Sequence, residues 1–250
     1  MTVPFALRKN TFTINANHFE KRELKRDELQ KILDVMKPES LEMQKEKIGR
    51  IALSPADVDW LRATFLFEFW TTRRREDVIK LTWKQVYQEE ENMYIDFINH
   101  KNSRRKQNAS NPDFWTGKPF PCHSELKKLL IELGFGKKDG DDYIIYSQEE
   151  QMRDFNLGLR NRKTLNRTRM IDLVTRGFTF FAKVAGIKNA TNKSLKKGGI
   201  TEMINQIGGD IHFLTDHSNM DVINSHYANT KRIVTEQSKK LIPFSIKKSA

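Results

Sequence analysis

The chain has one cysteine, Cys122, so neither a disulfide framework nor a cysteine-rich zinc site can be built from it. Long apolar runs are missing too. ATFLFEFW is broken by Glu68 and FTFFAKVAGI by Lys183, well short of the roughly 20 residues that cross a membrane. The N-terminus shows no signal-peptide pattern, and no internal repeat or low-complexity tract occurs. No tight cluster of His or carboxylate residues is visible, which places metal-dependent hydrolysis last among the candidate chemistries. These absences predict a soluble protein of a reducing compartment, without metal, cofactor or membrane partner.

Acidic residues are scarce where basic ones crowd. Residues 151–200 hold twelve Lys or Arg against Asp154 and Asp172, a net +10 in a chain whose total is +12. The preceding stretch, DGDDYIIYSQEE over 139–150, carries five acids and no base. A sequence pI near 9.7 and such segregation point to a polyanion, nucleic acid first, tracked along its phosphates.

At 250 residues the chain suits one large domain with at most a small appendage. Residues 1–20 read as an arm. From Arg22, Leu24, Leu29, Ile32, Leu33 and Met36 recur at near-helical spacing up to Pro38, followed by a polar connection over 37–50 with room for some helix. Ser54, Pro55 and Asp57 read as N-cap, first helical position and capping-box partner of a helix bearing Trp60, Leu61, Phe65, Phe67, Phe69 and Trp70, a central core element. TTRRREDVIKLTW follows, its three arginines set between two apolar segments, so that at least one is a candidate to point inward at an anion. MYIDFIN over 93–99 alternates as a strand, and Phe120–Cys122 reads as a second, giving a small antiparallel sheet with Lys101 at a strand edge.

Ser124 reads as the cap of a helix carrying Leu126, Leu129, Leu130 and Leu133 and ending at Gly134. DGDDYIIYS becomes a loop into a short buried segment. Met170, Leu173, Val174, Phe178, Phe181 and Ala185 build another helix, stopped by Gly186. A last clear one starts near Ser194, with Ile200, Met203, Ile204 and Ile207 inward and Gly208–Gly209 at its end. The fold class is therefore α+β, mainly α-helical.

Residues 193–227 gather three lysines, three histidines and Tyr227, the only tyrosine after Tyr146. Ser218 followed by Asp221 reads as a capping box, so a short helix near Asn219 sets Val222, Ile223, His226 and Tyr227 on one stripe. Tyr227 has two readings at this point: an amphipathic residue at a helix end, or a nucleophile. The tail after it holds few apolar residues until Leu241, Ile242, Phe244 and Ile246, a cluster that either covers the chain's own core or docks on another copy.

These residues carry a resemblance to the catalytic domain of the tyrosine recombinases, the phage-integrase family. TTRRREDVIKLTW is similar to that family's first block, with Thr71, Arg74, Asp77, Leu81 and Trp83 in step; Thr72 stands for the usual glycine and Asp77 for the usual glutamate. Lys101 falls where the mobile sheet lysine is kept, with Lys106 as the alternative. Lys193-Ser194-Leu195-Lys196 occupies the second block, where His and Arg are usual. Asp216-His217 and Tyr227 match the third block, with the tyrosine ten residues after the histidine instead of nine. The match spans roughly residues 22–235. It implies a catalytic domain over 21–235 with a small antiparallel sheet at one edge, and a tail over 236–250 that exchanges with a neighbouring protomer. It also implies that the family's N-terminal DNA clamp is absent, its place taken by an accessory DNA-binding protein. Double-stranded DNA is the implied partner, and a tetramer on DNA the implied assembly. The implied location is cytoplasmic and nucleoid-associated, or the DNA-containing compartment of a host cell.

Breaking a phosphodiester through an enzyme hydroxyl needs donors on the non-bridging oxygens, a proton for the leaving oxygen and an in-line nucleophile. Arg74, His217, Lys193 and Lys196 are the candidate donors, Lys101 the proton source and Tyr227 the attacking group. The resemblance implies a 3'-phosphotyrosine that stores the bond for rejoining. Arg73, Arg75, Arg104, Arg105, Lys106, Arg160, Arg162, Lys163, Arg167, Arg169 and Lys197 are candidate DNA contacts. Two readings stay open: an active strand transferase, or a relative that binds DNA as an architectural or regulatory protein without cutting it.

Overall fold

Bulky apolar side chains occupy almost every face of DVDWLRATFLFEFWT, and such a helix is stable only when neighbours surround it. In the computed structural model it is the central element. Residues 22–42, 53–98, 119–208 and 211–215 are described. Among them the helices are α1 (Arg26–Val35), α2 (Pro38–Glu42), α3 (Asp57–Thr71), α4 (Arg75–Ile79), α5 (Ser124–Leu133), α6 (Gln148–Asn156), α7 (Arg167–Val184), α8 (Asn192–Ile207) and α9 (His212–Thr215). The strands are β1 (Val86–Glu89), β2 (Asn92–Ile95) and β3 (Phe120–Pro121). The chain is mainly helical with a three-stranded antiparallel sheet in the order β1-β2-β3.

Helix α3 packs against α4, α5, α7 and α8. Leu61 and Phe65 are fully buried, as is Phe67, and the Phe65 ring meets Phe178 of α7 edge to face at 5.5 Å. The α7 stripe of Met170, Leu173, Val174, Phe178 and Phe181 faces inward, as its spacing predicts. Helix α8 lies closest to α3 because Gly198 and Gly199 carry no side chain there. A Cβ on Gly198 would stand 1.9 Å from the Leu24 carbonyl oxygen, and one on Gly199 2.0 Å from that of Phe69. The Leu24 N–H also donates to the Ser194 carbonyl at 3.0 Å, fastening the chain before α1 to α8.

In the sheet Val86 pairs with Ile95 and Ile95 with Phe120, all three buried, while Tyr87 and Tyr94 stack on the other face. The predicted strand over 93–99 is shorter, Asn92–Ile95, and its partner β1 was not foreseen in the sequence.

Two helix starts also differ from expectation. α5 is capped by His123, whose Nδ1 accepts the Leu126 N–H, instead of by Ser124. Helix α3 begins at Asp57, past a turn over Pro55; Asp57 Oδ2 accepts the Ser54 N–H, but the Ser54 hydroxyl makes no cap bond. Helix α6 was not anticipated. At the end of α8, Ile207 is 65% exposed instead of inward: it lies at the rim of a groove of about 550 Å³, past the face that Ile200 and Ile204 bury.

Candidate functional site

Helix α3 ends in a sharp reversal. Thr71 donates its hydroxyl to the Phe67 carbonyl at 2.6 Å, and Thr72 takes the left-handed conformation, φ 55 and ψ 17. That conformation normally favours glycine, because a β-branched side chain crowds the backbone there. Thr72 is nonetheless fully buried, and its Cγ2 lies 3.2 Å from where a Cβ on Gly199 would sit.

The reversal sends three consecutive arginines in different directions. Arg73 turns inward: it is 5% exposed, its guanidinium lies 5.0 Å from the Phe97 ring centroid, and Nη2 donates to the Leu214 carbonyl at 3.4 Å. Arg74 is the N-cap residue of α4, with extended backbone and a half-buried side chain. Arg75 opens α4 and donates from Nη1 to Asn192 Oδ1 at 3.3 Å.

That bond reaches across 117 residues and begins a buried chain. Asn192, at the first turn of α8 and 4% exposed, donates from Nδ2 to Glu68 Oε1 at 3.1 Å. Glu68 sits on α3, 3% exposed. Burial pushes its carboxyl up to about 8. The Asn192 amide and the positive charges of Arg75 and Lys196 pull the other way, while Asp77 adds to the rise. Near neutral pH Glu68 is therefore mostly a neutral acid and adds little negative charge beside Arg75 and Lys196. The arginine segment and the start of the lysine-bearing α8, far apart in sequence, thus share one electrostatic environment. Such an arrangement can offer planar and point-charge donors to an oxyanion.

Lys193 is exposed on α8, and Lys196 and Lys197 are half-buried. Lys101, Arg104, Arg105, Lys106, His217 and Tyr227 lie outside the described residues, as do the short helix near Asn219 and the apolar tail. Arg162 and Lys163 are exposed and Arg169 is half-buried.

Two arginines expected on the surface serve the interior instead. Arg160, 8% exposed, donates from Nη1 to the Tyr146 hydroxyl at 2.8 Å, and that hydroxyl donates to Asp154 Oδ2 at 2.9 Å. Arg167 lies 3.6 Å from the Tyr143 ring centroid and donates to the carbonyls of Ile145 and Tyr146; burial lowers its pKa to about 10. Both hold the buried segment that follows the acidic loop, where Tyr146 takes φ 53. Sequence reading missed Glu68 and Asn192. The visible signal for Glu68 was an acid inside an otherwise apolar helix, a position that needs a polar partner.

Among the described residues no group of three His, Cys, Asp or Glu side chains is placed to hold a metal, and no helix is long and apolar enough to cross a membrane.

No protein-family model matches the chain, and a search of curated proteins finds no match. Among solved structures, the chain is similar to the crystal structure of the XerH site-specific recombinase bound to palindromic difH substrate, a post-cleavage complex. The TM-score is 0.49 at 12% sequence identity, over 88% of this chain and 54% of that one. The chain therefore spans about half the length of that protein.

Proposed function

We propose that the chain cuts and rejoins DNA strands in the manner of a tyrosine recombinase, with Tyr227 as nucleophile and Arg74 holding the scissile phosphate. The observation that carries this reading is the Arg75–Asn192–Glu68 chain, which ties the segment holding the family-like first block to the helix holding the second. A transferase needs those two blocks at one phosphate, although 117 residues separate Arg75 from Asn192. Lys196 supplies a cation beside Arg74's segment, Lys193 and His217 further donors, and Lys101 the proton for the leaving oxygen. The strand is held as a phosphotyrosine until the second hydroxyl attacks, so neither nucleotide hydrolysis nor metal enters the scheme. Paired cleavage on two duplexes would use a tetramer, with the tail over 236–250 linking protomers.

The second block favours a slower variant of the chemistry. Lysine keeps the charge of arginine but lacks its planar fork, so Lys196 grips two oxygens less rigidly. Losing one comparable donor slows cleavage by on the order of 10²-fold. The extreme of that trend is a DNA-binding protein that no longer cuts.

Incubation with nicked suicide duplexes decides between the readings. A covalent protein–DNA adduct that Tyr227→Phe and Arg74→Ala both abolish is the expected result. An adduct that persists in Tyr227→Phe rejects the nucleophile, and tight DNA binding with no adduct establishes the non-cutting reading.

A further inference from the structure

A recess of about 300 Å³ opens at the far end of α3 from Arg74, between the start of that helix and the segment leading into α7. The 15 residues of α3 set the two places roughly 22 Å apart. Its polar wall is made by Ser54, Asp57, Arg160, Asn161, Arg162 and Arg169. The lining holds three arginines and one aspartate, in a recess where attraction for an anion is less screened than in open water. The carboxylate is already engaged: Asp57 Oδ2 accepts the Ser54 N–H at 2.8 Å and Oδ1 the Trp60 indole N–H at 3.1 Å. Among the described residues, the side chains of Arg162 and Arg169 have no hydrogen-bond or ion-pair partner.

Two further donors in the same wall lack an acceptor. Arg160 Nε and Ser54 Oγ are buried without a hydrogen-bond partner, while Arg160 Nη1 is held on the Tyr146 hydroxyl. Buried polar atoms are nearly always satisfied, so two such atoms on residues that line one recess call for an explanation. An oxyanion with several acceptor oxygens supplies what both lack and what the two outer guanidiniums offer. A carboxylate has two oxygens in one plane. A tetrahedral phosphate has enough, in enough directions, to meet donors on opposite walls.

We propose that this recess binds a phosphate group, either inorganic phosphate or a phosphate of a nucleic-acid backbone. Arg162 and Arg169 take the outer oxygens; Arg160 Nε and Ser54 Oγ take the inner ones after a small inward adjustment. The site is separate from the Arg74 cluster and does not depend on strand cleavage.

The test compares the full chain in chloride and in inorganic phosphate at equal ionic strength, by thermal unfolding and titration calorimetry. Phosphate at ten times its Kd should raise the Tm by about 3–6 °C. Arg162→Ala/Arg169→Ala, with both changes near the surface, should keep its Tm in chloride and lose the phosphate-induced rise. Ser54→Ala should weaken phosphate binding by about 10-fold. If the double variant does not fold, Arg162→Ala alone carries the comparison, with a weaker rise expected. No rise in the unmodified chain, or an equal rise in the variants, overturns the proposal. A short DNA duplex that displaces bound phosphate, read by phosphorus NMR, assigns the site to the backbone. A duplex that binds without displacing it assigns the site to free phosphate. Neither reading uses adduct formation, so failure here and failure of the Tyr227 assignment are separate results.

Discussion

Thr72 combines two unfavourable features in one side chain. It holds a left-handed φ of 55, and its buried hydroxyl has no hydrogen-bond partner. Each costs about 1–3 kcal/mol in comparable settings. Its methyl group fills the space beside Gly199, and losing that contact costs about 1 kcal/mol. Thr72→Gly should therefore raise stability by at least about 1 kcal/mol in urea unfolding; a loss of that size would mean that packing dominates.

Glu68 makes a prediction in pH. Its folded-state pKa is raised to about 8, so the folded chain holds a proton that the unfolded chain releases near pH 4.5. The stabilising contribution is complete below about pH 4.5, falls as pH rises, and is lost through about pH 8. Glu68→Gln keeps an acceptor for Asn192 and removes the titration. Unfolding curves should show the variant gaining on the parent from pH 5 to pH 9. Parallel profiles would show that Glu68 is already ionised in the fold. The sequence displayed Glu68 only as an interruption of an apolar run; that it pairs with Asn192 depends on helix packing, which no local pattern encodes.

Among the elements, those with a full stripe of large apolar residues were readable: α1, α3, α5 and α7 follow from their spacing. β1 was not, because Val86 is the only buried residue of its four and gives no alternation to detect. α6 has few apolar residues, yet it carried a sign: Ser147 Oγ accepts the Glu150 N–H and Glu150 Oε2 the Ser147 N–H, a capping box written as S-x-x-E. The α5 cap was read one residue late because serine is the commoner cap, whereas here the imidazole of His123 does the accepting. The contact of α8 with its neighbours is testable through its glycines. Gly198→Ala drives a methyl into a backbone carbonyl and should cost about 3 kcal/mol. In α7, a Cβ on Gly177 would come within 2.9 Å of the Leu61 Cδ1, with Leu61 Cδ2 and Leu53 Cδ1 at ordinary contact distance, all of them ends of side chains. Gly177→Ala should stay within about 1 kcal/mol of the parent, helix propensity offsetting the crowding.

Across the whole molecule the excess charge remains concentrated in residues 151–200, though less of it faces outward than a count implies. Arg160 and Arg167 are taken up by Tyr146, Tyr143 and nearby carbonyls, and Arg153 by Asp154. Arg162, Lys163, Arg176, Lys183, Lys188 and Lys193 are exposed. Six cations engaging phosphates would give a slope of about −5 in a plot of log affinity against log salt. Fluorescence anisotropy on a short duplex at several salt concentrations measures that slope. A value near zero would remove these residues as DNA contacts. Composition raises the expectation of a polyanion partner, whereas the inward arginines could not be read from it, because a guanidinium looks the same in sequence whether it meets a phosphate or a buried phenol.

The two adjacent glycines of α8 set a mechanical condition on any reaction at this end of the molecule. The backbone of that helix is pressed against the carbonyl oxygens of Phe69 and Leu24, so no side chain fits between it and α3 there, and the Arg75–Asn192 hydrogen bond joins its start to α4. If the proposed strand cleavage holds, a duplex entering this end would meet a helix that cannot approach α3 any further, and selectivity among sites would depend on how readily each one bends to fit it.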